Sequence, residues 1–98
     1  MDFKIVFSPS ARKDLQEIVE YIAAEDQRTA ERIGMALIQA TKSLTEFPRK
    51  GRVVPEFRVD SLREIPLSPY RIVYRTFDES GNIEIVRIWH AARGTPEI

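Results

Sequence analysis

The sequence contains no cysteine and only one histidine, His90. The first absence excludes disulfides, thiolate metal sites and a cysteine nucleophile. The second excludes a histidine-built metal site. No apolar run approaches the ~20 residues that span a bilayer, and Met1-Asp2-Phe3-Lys4 lacks the long apolar stretch of a secretory leader. A cytoplasmic protein with no membrane partner is the expectation. There is also no excess of either charge, with 15 Lys and Arg against 15 Asp and Glu. What is present is ordinary for a globular domain: 43% hydrophobic and 31% charged residues exclude disorder and collagen-like structure. A length of 98 residues fits one domain, residues 1–98, with enough burial for a single core. Nothing in the pattern calls for a cofactor.

The charge balance is uneven along the chain. Residues 1–41 hold five basic and seven acidic side chains, residues 42–75 eight and four, and residues 76–98 two and four, so −2, +4 and −2 sum to zero. A basic middle of this size suits an acidic protein partner or phosphate. It is too small an excess to identify nucleic acid, and direct nucleic-acid binding is doubtful on this ground.

Phe3, Ile5 and Phe7 alternate with Lys4, Val6 and Ser8, which predicts a first strand. Ser8-Pro9 reads as a helix start: a capping hydroxyl, then a residue with no N–H to leave unsatisfied. Ala11, Leu15, Ile18 and Ile22 form the stripe of a helix over about Pro9–Ala24, and Asp14, Glu17, Glu20 and Glu25 are expected on its wet face. Ile33, Leu37, Ala40 and Leu44 do the same for a helix over about Arg28–Glu46, with Asp26 as its cap and Pro48 as its stop. Pro48, Gly51 and Pro55 punctuate a basic loop containing Arg49, Lys50 and Arg52. Strands follow at Arg63–Ile65, Tyr70–Phe77 and Ile83–His90, and Asp78–Asn82 is a hairpin loop. The expected fold is α+β, in the order β-α-α-β-β-β. A helical hairpin packs on one face of a small, mainly antiparallel sheet.

Pairing Phe77 with Ile83 sorts the last hairpin into two faces. Arg71, Val73, Arg75, Ile85, Arg87 and Trp89 share one; Tyr70, Ile72, Tyr74, Val86, Ile88 and His90 share the other and should meet the helices. A one-residue slip would exchange them.

Ala11…Asp14-Leu15…Ile18…Tyr21-Ile22, Phe47-Pro48…Gly51-Arg52, Arg63-Glu64-Ile65, Tyr70-Arg71-Ile72-Val73-Tyr74-Arg75 and Ile88-Trp89-His90-Ala91-Ala92-Arg93 together resemble the RelE/ParE toxin superfamily, nearer the ParE or plasmid-stabilisation branch. The resemblance implies the toxin of a bacterial type II toxin–antitoxin pair, neutralised by a cognate antitoxin. ParE-like members poison DNA gyrase, whereas RelE-like members cleave messenger RNA on the ribosome. The RelE-like reaction uses strand lysines, an arginine in the tyrosine-arginine strand, and a late arginine and tyrosine. Aligned on Tyr70-Arg71, the arginine is Arg71, the lysine positions fall on Leu62 and Glu64, Arg93 stands for the late arginine, and no tyrosine follows it. The expectation is therefore a binding toxin. The alternatives are a ribonuclease using Arg71, His90 and Arg93, and an inactive relic that only binds antitoxin.

Candidate partner- or target-binding residues are Arg49, Lys50, Arg52, Arg63, Arg71, Arg75, Arg87, Trp89 and Arg93. Each has a plainer reading beside it. Arg71 can form a cross-strand ion pair with Glu64, Arg63 can be solvated, Arg75 and Arg87 can snorkel, and Trp89 can simply pack.

Overall fold

The computed structural model describes residues 2–98, and the elements are β1 (Lys4–Phe7), α1 (Pro9–Ala23), α2 (Gln27–Lys42), β2 (Arg52–Val53), β3 (Leu62–Leu67), β4 (Tyr70–Phe77) and β5 (Asn82–His90). Short 3-10 turns follow α2 at Ser43–Thr45 and β5 at Ala91–Arg93. The sheet has five strands in the order β1-β5-β4-β3-β2. β1 runs parallel to β5, and the other neighbours are antiparallel.

Local chemistry accounts for the helix ends. Ser8 Oγ accepts from Ala11 N at 3.0 Å and donates to Val86 O at 2.9 Å, so one hydroxyl caps α1 and ties it to β5. Asp26 caps α2 by accepting from Arg28 N and Thr29 N. α2 is regular only to Lys42, short of the expected Glu46. There Thr41, Ser43 and Thr45 hydroxyls donate to the carbonyls of Ile38, Ala40 and Lys42, and the last turn tightens.

Both helices pack on one sheet face. Ala11, Leu37 and Leu44 are buried there with Ile72, Tyr74, Ile83, Ile85 and Ile88, and Leu15, Ile18 and Ile33 close the edges. Full burial of each large aliphatic side chain stabilises by about 1.5–3 kcal/mol. A second, smaller cluster of Val54, Leu62, Val73 and Val86 lies apart from it. Among the described residues no helix is long and apolar enough to cross a membrane.

Three expectations are corrected. The fifth strand, β2, pairs Arg52 with Glu64 inside what reads as a loop. The β4–β5 register matches the expected one from Tyr70↔His90 to Val73↔Arg87, then shifts by one, so that Tyr74 faces Ile85 and Phe77 faces Asn82. Val86 is the extra residue of this bulge. The bulge exchanges two side chains between faces: Ile85 joins the helix-facing core, and Val86 leaves it for the smaller cluster.

Candidate functional site

Alternation along β4 turns Ile72 and Tyr74 toward the helices and Arg71, Val73 and Arg75 away from them. Glu64 on β3 and Arg52 on β2 lie on the same outer face. Arg52 Nε donates to Glu64 Oε2 at 2.7 Å, and Arg71 Nε donates to Glu64 Oε1 at 2.6 Å. Glu64 is fully buried, so two guanidinia hold a carboxylate that water does not reach. The expected Glu64–Arg71 pair exists but is diagonal: the direct partner of Glu64 is Val73, and that of Arg71 is Pro66.

Arg71 is committed further. Its Nη1 and Nη2 fork the two oxygens of Glu56 at 2.9 and 2.7 Å, and Nη1 also donates to Gly94 O at 3.2 Å. The Glu56 bonds first, then those of Glu64, raise the guanidinium above its ordinary value against the opposing effect of burial. The same pair holds the Glu56 carboxyl below its ordinary value. The cluster thus has two cations and two anions and no net charge.

The remaining candidates are mostly paired as well. Arg49 bridges Asp60 at 2.6 Å and Asp78 at 2.8 Å, and those bonds raise its pKa. Arg63 binds Asp60 and donates to Gly51 O. Lys50 donates to Ser43 Oγ at 3.2 Å and is otherwise exposed. Arg75 is half-buried beside the register partners Leu62 and Glu84. Arg87 does not snorkel: it forks Asp14 of α1 at 2.8 and 2.9 Å, and this pairing raises its pKa. Asp14 also accepts from Ile88 N at 2.9 Å, so it is an inward residue and not part of the wet face.

Trp89 is buried. Its Nε1 donates to Gly94 O at 3.1 Å, with the guanidinia of Arg93 and Arg87 at 3.8 and 4.9 Å from the ring centre. The segment after β5 therefore folds back over the outer face, and Pro96 is buried. His90 points elsewhere. It meets Tyr70 edge-on at 5.5 Å and lines a recess with Ile18, Tyr21 and Ile22 of α1, while its Nδ1 accepts from Ala92 N. The sheet thus separates His90 from Arg71. Arg93 lies at the end of the sheet, against Trp89 and the His90 recess.

Two members of the site were not singled out from sequence, Glu56 and Asp60. Nothing in their spacing marks them, because a loop carries both to their partners. Asp14 did carry a signal: positions 11, 14, 15 and 18 form one helical face.

A family model described as ParE toxin of type II toxin-antitoxin system, parDE, matches residues 5–94. Toxin RelE1 of Caulobacter vibrioides is 35% identical over 94 residues, covering 92% of this chain and 95% of its own. Toxin RelE2 of the same organism is 37% identical over 91 residues, covering 92% and 97%. Among solved structures, the chromosomal ParDE system from P. aeruginosa superposes with a TM-score of 0.73 at 21% identity, over 90% of this chain and 95% of that one. The RelBE2 toxin-antitoxin complex from Mycobacterium tuberculosis gives 0.69 at 23% identity, over 92% and 99%. At these identities the two structures establish the fold alone.

Proposed function

The chain belongs to the ParE toxin family of type II toxin–antitoxin systems, and from that premise we propose a toxin that acts by binding a protein target, DNA gyrase, and is held inactive by a cognate antitoxin. The observation that carries this reading is the closed charge balance around Arg71. Cleavage of RNA through its 2′-OH needs a group to activate the hydroxyl and cations free to meet the developing phosphorane charge. Here Arg71 is shared between Glu56 and Glu64, and Arg52 shares Glu64. Leu62 and Glu64, both buried, stand where the ribonuclease branch carries lysines. Neither supplies a cation. Neutral overall charge also gives little of the counterion release on which ribosomal RNA binding depends. The antitoxin part of the reading is supported by the family and by structural neighbours solved as toxin–antitoxin complexes.

The second reading, a ribosome-dependent messenger-RNA endoribonuclease, is favoured by the RelE names of the two Caulobacter relatives. Against it, Arg71 and His90 lie on opposite faces of the sheet. Purified toxin assayed in parallel for gyrase supercoiling and for translation separates the two. The expected result is inhibited supercoiling with intact messenger RNA. Site-specific cleavage that disappears with Arg71→Ala would overturn the binding reading. A relic that only binds antitoxin would affect neither assay.

A further inference from the structure

The two carboxylates on Arg71 are held very differently. Glu64 is on β3 and fully buried. Glu56 is on a turn between β2 and β3, where Phe57 N and Arg58 N both donate to Val54 O, and its side chain is 31% exposed. Beside it lies an open groove of ≈ 390 Å³ lined by Arg52, Pro55, Pro66, Pro69, Tyr70 and Arg71. Glu56 can swing into water at little cost, and Glu64 cannot.

We propose that Glu56 is a placeholder: an acidic side chain of a protein partner enters this groove, displaces Glu56 from the Arg71 fork and takes over both hydrogen bonds. Three features favour a protein carboxylate over a phosphate. The fork already holds a planar carboxylate with both nitrogens engaged. Exchange of one carboxylate for another leaves the cluster neutral, whereas a phosphate dianion adds uncompensated negative charge beside buried Glu64. Three prolines and a tyrosine give the groove apolar walls, which suit the side chains flanking an acidic residue in a peptide. The inference rests on the protein-binding reading but not on gyrase as the target.

The test is an NMR titration of the full chain, observing arginine side-chain N–H signals. The probes are a capped hexapeptide of alternating Leu and Glu, its Leu/Gln counterpart, and inorganic phosphate. The Glu peptide is expected to move the Arg71 Nε–H signal, and the Gln peptide is not. Glu56→Gln should tighten binding of the Glu peptide by up to about fivefold, because the internal competitor is gone. Glu64→Gln combined with Arg71→Gln, which removes both charges of the buried pair together, should abolish it. Equal affinity with and without Glu56, binding indifferent to Arg71, or phosphate outcompeting the peptide would each overturn the proposal. Should Glu56→Gln fold poorly, the wild-type titration with the three probes still decides. Peptide exchange in a protein that leaves gyrase untouched would remove the target and keep this site.

Discussion

Arg71→Ala tests how the outer face is held together. The substitution takes one of two guanidinia from Glu64, whose side chain is fully buried. Arg52 remains, but its side chain is 59% exposed, and water competes for it. Stripping a partner from a buried ion pair costs about 3–5 kcal/mol. The lost bonds to Glu56, nearer the surface, add at most about 1 kcal/mol. Small domains have roughly 5–15 kcal/mol of total stability, so the loss is a large fraction of it. At ~4–8 °C per kcal/mol for a domain this size, the midpoint should fall by more than about 12 °C. Glu64→Gln with Arg71→Gln removes both charges and keeps the shapes, and should cost only about 1–2 kcal/mol. Urea unfolding followed by the fluorescence of Trp89, the only tryptophan, measures both variants. The reasoning is refuted if Arg71→Ala costs less than about 1 kcal/mol, or if the double variant is as unstable as the single one. A corollary concerns toxicity assays: loss of activity in Arg71→Ala is evidence about the target only after the folded fraction has been measured.

Gly51→Ala should destabilise by about 2 kcal/mol or more, because a Cβ there would lie 2.6 Å from Glu64 O and 2.7 Å from the Tyr74 hydroxyl. That hydroxyl is itself fixed, donating to Pro48 O and accepting from Gly51 N, so relief requires moving the loop; an unchanged urea midpoint would contradict this packing. Acid should weaken the Glu56–Arg71 contact. The Arg71 hydrogen bonds hold the Glu56 carboxyl below its ordinary 4.5, so its stabilisation is complete above about that pH and is lost as pH falls through the lower folded value. The difference in melting temperature between wild type and Glu56→Gln should be flat from about pH 7 to about 5 and shrink below that. A difference that grows on acidification has the wrong sign for this account.

The elements built from long periodic patterns were legible in the sequence. Helical stripes define α1 and α2, strict alternation defines β1, and the β-rich runs define β4 and β5. β2 was not, because two residues among prolines and a glycine carry no period. The bulge was invisible for a different reason. Ile85 and Val86 are both apolar, so either one satisfies the core, and the choice is made by the parallel pairing of β5 with β1 and the cap bond from Ser8 to Val86. Of the charged site, the link between Glu64 and Arg71 followed from strand order. Glu56 and Asp60 depend on the course of a loop in which Arg58 adopts a positive φ of 54°, a conformation that no local pattern announces.

The parallel pairing of β1 with β5 also orders events in time. Among the described residues, 4–7 have no other strand neighbour than 82–85, so the first strand made must wait for nearly the last. Until β5 is synthesised, the helical hairpin has its apolar stripe but lacks Ile83, Ile85 and Ile88 to cover it. Contacts of such long sequence separation close slowly and late. A ribosome-bound nascent chain that has not yet reached β5 therefore lacks the assembled outer face on which Arg71 and Trp89 sit. On the proposed reading of a toxin held inactive by its antitoxin, that delay gives the antitoxin an interval in which its partner is still incomplete.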